Sequence, residues 1–308
     1  MLPFSFTFMF PVLFTIGKIP ISSFGVLMAL GFFVSVFLIW RLTRAWDLDE
    51  EKVLDLTILT FLGGLIGARF YFAFSNLDLF SENILDIFFF NKIPGFNFVG
   101  ALIGGFASLY FFSKKKKMDF WMSADIASIG LITGLIFVSL GCFLGGCNVG
   151  APSDLFFAVD MVGEVGRRLP IQLLEAFLLT LTLLKLWSAS IHFHQRGKIL
   201  SFSLIYIGVI NILTAPFKDS YDGLLFSTAL TIIGIFVFYK ISKRRLEADI
   251  KSSLYYIKSL IFSSEVRKDA LSKFSKYWYN QKTSFSWTLR NMKKGLKKLN
   301  VRFSFKNN

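Results

Sequence analysis

Seven apolar stretches, each long enough to cross a lipid bilayer, divide the sequence and constrain the fold more than any other feature. A helix rises about 1.5 Å per residue, so about 20 residues cover the hydrocarbon thickness of about 30 Å. With 54% hydrophobic residues and 39 Phe, the chain is too apolar for a soluble domain of 308 residues. We therefore predict an all-α polytopic integral membrane protein with about seven transmembrane helices, at residues 21–40, 53–74, 94–112, 120–146, 170–190, 199–217 and 224–239.

Lys and Arg residues are distributed unevenly over the connecting loops. They concentrate after the first, third, fifth and seventh stretches, as in the run Lys114–Lys117, and are scattered on the opposite side. Because cytoplasmic loops carry the excess of basic residues, this asymmetry predicts an N-terminus outside and a C-terminus in the cytoplasm. The same loops and the C-terminal tail account for the net charge of +14. No nucleic-acid-binding motif occurs, so nucleic acid is not an expected partner.

Three segments differ in composition from the transmembrane helices of the domain at residues 21–242. Residues 1–20 lack the basic start and the cleavage site of a signal peptide and are interrupted by Pro11, so we predict an N-terminal arm on the membrane surface. Residues 77–92 mix acidic and aromatic residues at helical spacing and predict a second interfacial element. Residues 243–308 form a basic cytoplasmic tail with interspersed aromatic residues, which is either held on anionic lipid or merely solvated.

The segment Val138–Gly150, VSLGCFLGGCNVG, ends the fourth stretch with small and polar residues. Glycines allow backbones to approach closely, and small polar groups stand where a lipid-facing helix would carry Leu or Ile. The segment either lines a site open to water or packs against a neighbouring helix. Cys142 and Cys147 are five positions apart and on one helix point to different faces, so we expect neither a disulfide nor a metal site. His192 and His194 lie in a polar loop and do not predict a ligand pair.

Glycines recur at small-xxx-small spacing in the second and third stretches. They are Gly63, Gly64 and Gly67, followed by Gly100, Gly104 and Gly105. Such spacing brings helix backbones close together in a membrane. We predict that the second, third and fourth helices form one tightly packed unit.

A few polar residues occur within the apolar stretches or where these begin. Arg69 lies in the second stretch, where a charge costs about 2.5 to 3.5 kcal/mol at the bilayer centre. It either faces the bundle interior and binds an anionic group or extends to the outer headgroups. Gln172 and Glu175 share one face of the fifth helix, and we expect them to pair with Arg69 or with Arg167 and Arg168. Weaker candidates, each also an ordinary helix–helix hydrogen-bonding group, are Asn97, Ser139, Cys142 and Asn211.

Several motifs occur in a fixed order along residues 12–242. They are LFTIGKIPISSFGVLMALGF at the start, GGLIGARFYF in the second stretch, NFVGALIGG in the third, SADIASIG and GCFLGGCNVGAPSD in the fourth, and RRLPIQLLEA at the fifth. Together they resemble the prolipoprotein diacylglyceryl transferase family. The resemblance implies a multi-pass enzyme of the bacterial cytoplasmic membrane that needs no cofactor. Its implied partners are phosphatidylglycerol, or another anionic phospholipid, and the lipobox peptide of a preprolipoprotein, whose cysteine receives diacylglycerol as glycerol phosphate leaves.

The chain departs from this family at five polar positions. Phe24 stands where the family has Tyr, Val99 where it has His, and Asn211 where the sixth span has Arg. In the fourth-span signature, Ser139 replaces an Arg and Cys147 replaces an acidic residue. A phosphate leaving group needs fixed positive charge, and removing one such donor costs about 2.7 to 4 kcal/mol. The resemblance therefore implies a preserved scaffold with a substituted ionisable centre.

The expected site combines retained family positions with these substitutions. The candidate cations are Arg69 and one outer residue, Arg167, Arg168 or Lys218. We expect an outward-opening pocket lined by spans two to six, with Arg69, Gln172 and Glu175 as catalytic residues. The expected substrate-binding residues are Asn97, Ser139, Gly141, Cys142, Gly146, Cys147, Gly150 and Asn211. A working transferase and a catalytically inactive lipid- or lipoprotein-binding protein of the same fold are the two alternatives; a transporter is disfavoured because no internal repeat occurs.

Overall fold

The protein, seen in a computed structural model, is built mainly from helices that follow the apolar stretches. The structure describes residues 10–17, 19–81, 83–89, 93, 95–161, 163–191, 195–219, 223–276, 278–280 and 283. Within them the helices are α1 (Ser23–Ala45), α2 (Glu50–Ser75), α3 (Phe98–Lys115), α4 (Phe120–Gly145), α5 (Ile171–Ile191), α6 (Lys198–Thr214), α7 (Leu224–Ser242) and α8 (Leu246–Phe262). Two antiparallel pairs join β1 (Val12–Ile16) to β2 (Ile19–Ser22) and β3 (Val159–Asp160) to β4 (Arg167–Arg168). Short 3-10 turns lie at Leu77–Phe80, Ile84–Ile87 and Ala215–Phe217.

Six helices in the described part of the chain are long and apolar enough to cross a membrane: α1, α2, α4, α5, α6 and α7. They confirm a polytopic, largely helical membrane protein. The third apolar stretch, α3, is not among the six. It has 18 residues and ends with Lys114 and Lys115. Its start at Phe98 is also later than the predicted start at residue 94, because Asn97 caps the helix.

The glycines of α2 and α3 bring these two helices into backbone contact. A Cβ atom added at Gly67 would lie 2.5 Å from the Gly100 carbonyl oxygen, and one added at Gly104 would lie 2.4 Å from the Gly63 carbonyl oxygen. Side chains do not fit at these positions, since real Cβ atoms do not approach so closely. The predicted close packing of the second and third helices is confirmed.

Helix α4 packs mainly on α1 and α5, so the predicted unit of the second, third and fourth helices is wrong in its third member. A Cβ atom added at Gly31 of α1 would lie 2.6 Å from an atom of Phe137 in α4. One added at Gly130 of α4 would lie 2.6 Å from an atom of Ile39 in α1. The Ser35 hydroxyl donates to the Gly130 carbonyl at 2.9 Å. Each helix therefore places a large side chain over a glycine of the other.

Asp125 of α4 fixes the start of α6. Its side chain is fully buried and accepts hydrogen bonds from the main-chain N–H groups of Gly197 and Leu200, each at 2.7 Å. The first N–H groups of a helix have no partner within the helix, and a buried carboxylate needs donors. The Asp125 carboxylate and these N–H groups therefore satisfy each other, and the contact holds the start of α6 against α4.

The described part of the N-terminal arm is a β-hairpin, which adds local strand structure to the predicted all-α fold. Strand β1 pairs antiparallel with β2, with Val12 opposite Ser22. Ser22 then caps α1, accepting from the Gly25 N–H at 3.1 Å. Residues 1–9 of the predicted arm lie outside the described residues.

The chain divides into two compact units, Met1–Lys243 and Arg244–Asn308. The second unit corresponds closely to the predicted tail. Its described part is helical, with α8 followed by helical residues 264–276. Residues 284–308, which hold further predicted tail aromatics, lie outside the described residues.

Candidate active site

The helix α4 ends between its two cysteines. Gly146 caps it in the left-handed conformation, with φ of 78°, and donates its N–H to the Cys142 carbonyl. Cys147 has left the helix, and its N–H also donates to the Cys142 carbonyl, at 3.0 Å. Cys142 and Cys147 form a disulfide with a Cα–Cα distance of 4.6 Å. Our prediction against a disulfide is wrong, because it assumed one continuous helix through both residues.

The first turn of α5 holds the turn that follows α4. Gln172 is fully buried, and its Nε2 donates to the Cys147 carbonyl at 2.8 Å. Asn148 has φ of 54°, which turns its side chain toward α5, where Nδ2 donates to Glu175 Oε2 at 3.1 Å. Gln172 and Glu175 are three residues apart on one helix face, as predicted. Both therefore contact the turn after α4.

Glu175 is 7% exposed and forms the centre of a cluster that also includes the end of α6. Its Oε1 accepts from the Thr214 hydroxyl at 3.0 Å and lies 2.6 Å from Lys218 Nζ. Lys218 Nζ also donates to Asn211 Oδ1 at 3.2 Å. A carboxylate this far from water requires a cation and hydrogen-bond donors, and here it has both. The cluster joins α4, α5 and α6 at one end of the bundle.

Main-chain hydrogen bonds join the segments after α4, before α5 and after α6 next to this cluster. The Ala151 N–H donates to the Phe217 carbonyl at 2.8 Å, and the Leu169 N–H donates to the Ala151 carbonyl at 3.1 Å. Gly150 forms a bridge with Lys218. A Cβ added at Gly150 would lie 2.1 Å from the Leu169 carbonyl oxygen, so a side chain cannot be accommodated without movement of the backbone. Gly150 therefore has a packing role at the site.

The two arginines of β4 do not pair with Glu175. Arg168 is 9% exposed and forms ion pairs with Glu164, at 2.6 Å, and with Asp219, at 3.2 Å. Arg167 is exposed and donates to the Ala158 carbonyl at 2.5 Å. The predicted pairing of Glu175 with an arginine is thus wrong, and the cation that contacts Glu175 is Lys218.

Arg69 lies elsewhere, in a ring of main-chain carbonyls. It is 4% exposed and donates through its guanidinium to the carbonyls of Asp86, Ile87, Ile93 and Gly95, at 2.7 to 3.1 Å. The carbonyls of Asp86 and Ile87 belong to the 3-10 turn Ile84–Ile87, and the other two lie closer to the start of α3. The structure does not bring the Arg69 guanidinium to Gln172 or Glu175, and Arg69 instead fixes the connection between α2 and α3.

The remaining predicted residues have separate environments. Asn97 accepts from the Val99 N–H at 2.8 Å as the cap of α3, which is a structural role. Ser139 is buried in α4, and a Cβ added at Gly141 would lie 3.0 Å from Phe24. His192 and His194 lie outside the described residues. Among the described residues, no group of three or more His, Cys, Asp or Glu side chains could hold a metal ion.

Thr214 is the site residue that the sequence analysis missed. It lies three residues after Asn211, a spacing that places both on one face of α6, and Lys218 follows after the 3-10 turn Ala215–Phe217. The spacing of Asn211 and Thr214 is the signal from which this part of the cluster was predictable.

Comparisons with known proteins agree with the motifs. A family model described as prolipoprotein diacylglyceryl transferase matches residues 11–252. Among relatives named phosphatidylglycerol–prolipoprotein diacylglyceryl transferase, the protein of Clostridium tetani is 29% identical over 246 residues, covering 74% of this chain and 96% of the relative. That of Finegoldia magna is 26% identical, covering 78% and 99%. That of Aeromonas hydrophila is 30% identical, covering 76% and 91%.

Proposed function

Because this chain belongs to the prolipoprotein diacylglyceryl transferase family, we propose that it transfers the diacylglyceryl group of phosphatidylglycerol to the lipobox cysteine of a preprolipoprotein. A bond forms between the cysteine sulfur and a glycerol carbon of the diacylglyceryl group. The bond from that carbon to the phosphate oxygen breaks, glycerol phosphate leaves with the bonding electrons, and the thiol proton is released. The chain therefore has to stabilise the growing negative charge on the phosphate and accept a proton.

The observation that carries this proposal is the contact of Lys218 with Asn211. Asn211 stands where the family resemblance places an arginine, and Lys218 Nζ lies 3.2 Å from its Oδ1. The ammonium thus supplies positive charge next to the position where the arginine side chain is missing. This relocated cation favours a working transferase over an inactive lipid-binding relative, since a loss of function alone would not require a replacement charge.

Lys218 has the chemistry to bind the leaving phosphate. An ammonium has three N–H donors. Within the described residues, Glu175 and Asn211 are the acceptors that Lys218 Nζ contacts, which leaves one donor for an oxygen of the phosphate. Its side chain is 16% exposed, so the charge acts in a site with little water, where an electrostatic interaction is stronger than at the surface.

Glu175 is assigned to accept the thiol proton. Its Oε1 lies 2.6 Å from Lys218 Nζ, so the proton acceptor stands directly beside the cation assigned to the leaving phosphate. Gln172 acts as a positioning residue, because it holds the Cys147 carbonyl and so the turn that carries Asn148.

We further propose seven membrane spans, with α3 as the third, in the bacterial cytoplasmic membrane, with the N-terminus outside and the C-terminus inside. The asymmetry of Lys and Arg in the loops supports this orientation. The cluster around Glu175 is formed where α4 and α6 end and α5 begins. In this topology these positions belong to the outer side of the membrane.

The function is tested in a bacterium depleted of its own diacylglyceryl transferase. We expect the expressed wild-type chain to restore growth and the lipid modification of lipoproteins, measured by the mobility and mass of one abundant lipoprotein. An empty vector is the control. If the chain is present in the membrane at normal abundance and the precursor stays unmodified, the inactive binding protein is the correct alternative.

A further inference from the structure

The C-terminal unit carries most of the excess positive charge of the chain. Residues 244–308 hold 16 of the 34 Lys and Arg residues and only four of the 20 Asp and Glu residues, which is +12 of the net charge of +14. The unit follows α7, and 13 of its 16 basic residues lie beyond residue 252, where the family match ends. Most of its charge therefore lies outside the region shared with the family. A concentration of this kind attracts an anionic surface.

Helix α8 in this unit has an apolar stripe that is open to its surroundings. The stripe consists of Leu246, Ile250, Leu254 and Ile261, which recur at intervals of four and seven residues and so lie on one face. These four side chains are 46%, 48%, 61% and 61% exposed. A row of large aliphatic side chains on one face, left exposed along a whole helix, is typical of a surface that another apolar phase covers.

Two basic residues of α8 lie beside the apolar stripe. Lys251 and Lys258 are seven positions apart and therefore lie on one side of the helix, next to the stripe. Long basic side chains can keep their stems along apolar groups and extend their charges to a polar layer. A helix with an apolar face and flanking lysines fits the boundary between acyl chains and anionic headgroups.

The short link between α7 and α8 favours the membrane as the surface that covers the stripe. Only Lys243, Arg244 and Arg245 separate the last residue of α7 from the first residue of α8. Helix α7 is apolar enough to cross a membrane. We propose that α8 lies on the surface of the membrane that α7 crosses, with its apolar stripe among the upper acyl chains and its lysines on anionic lipid headgroups.

The proposal is tested on the full-length protein in nanodiscs with a spin label on an added cysteine. The two native cysteines form a disulfide and do not react with the label. Leu254→Cys places the label on the stripe, and Ser252→Cys places it on the opposite face as a matched control. With phosphatidylserine in the disc, we expect the label at Leu254 to be accessible to oxygen and shielded from an aqueous nickel chelate. The label at Ser252 should show the reverse.

Charge is tested separately with phosphatidylserine, which is not the proposed substrate. Each basic residue at an anionic surface changes membrane affinity about fivefold, so Lys251→Gln with Lys258→Gln should lower the ratio of inserted to free label about 25-fold. Lys251→Arg with Lys258→Arg should leave the ratio unchanged. Two water-exposed labels in phosphatidylserine discs would overturn the proposal. So would a Leu254 label shielded from both reagents, which indicates a protein contact, or equal insertion in discs of phosphatidylcholine alone.

Discussion

Replacement of Lys218 by Met is the perturbation that separates the chemical role of this residue from its structural role. Lys218 lies 2.6 Å from Glu175, and the two side chains are 16% and 9% exposed. Met keeps the approximate length of the side chain and removes its charge. Within the part of the chain that the structure describes, the Glu175 carboxylate then keeps the neutral donors Thr214 and Asn148, at 3.0 and 3.1 Å.

Two magnitudes follow from this geometry. Removing one partner of a buried ion pair costs about 3 to 5 kcal/mol, and we expect the lower end because two donors remain on Glu175. Removing one donor that stabilises developing anionic charge lowers the rate by about 10²- to 10³-fold. The double variant Lys218→Met with Glu175→Gln removes both charges of this pair, so neither is left unpaired. We therefore expect stability to recover and the rate to stay low.

The assay measures thermal unfolding in detergent and the initial rate of peptide modification in the same preparation. Lys114→Met, which removes an exposed lysine at the end of α3, is the control and should change neither quantity measurably. A Lys218→Met protein that folds and transfers at the wild-type rate would refute the assignment of Lys218 to the leaving phosphate. A rate that recovers together with stability in the double variant would refute the assigned roles of both Lys218 and Glu175.

Three further predictions test the packing, the disulfide and the topology. Gly150→Ala should destabilise the protein by about 1 to 3 kcal/mol, because its Cβ would overlap the Leu169 carbonyl, whereas Gly223→Ala has open space and should be nearly neutral in thermal unfolding. Replacing both cysteines by Ser should cost about 2 kcal/mol in the same assay, as expected for a short closed loop, and no change would contradict a formed disulfide. In a background lacking the native cysteines, single cysteines at Lys116 and Asp160 should react with an impermeant reagent from opposite sides, and labelling of both from outside would exclude the proposed topology.

The sequence was sufficient to predict elements that depend on local pattern. The apolar stretches predicted the membrane helices, and the glycine spacing in α2 and α3 predicted their close contact, because both signals are properties of one or two segments. The shared face of Gln172 and Glu175 follows from helix geometry alone. The family was predictable because its motifs occur in order, even where polar residues such as Ser139 differ.

Contacts between distant segments could not be predicted in the same way. Arg69 donates to the carbonyls of Asp86 and Ile93, which lie 17 and 24 positions away, and no local pattern in the sequence predicts those contacts. The disulfide of Cys142 depends on where α4 ends, and that end is set by the left-handed Gly146. Glu175 was expected to pair with an arginine, and only the fold brings Lys218 to it.

The most direct test of the transfer reaction uses purified wild-type protein, phosphatidylglycerol and a synthetic lipobox peptide. Mass spectrometry of the peptide measures the product, and the released glycerol phosphate is measured in parallel. We predict a peptide heavier by one diacylglyceryl group and an equal amount of glycerol phosphate, with neither product when the lipobox cysteine is replaced by Ser. Binding of phosphatidylglycerol without either product would contradict the account and identify the protein as an inactive lipid-binding relative.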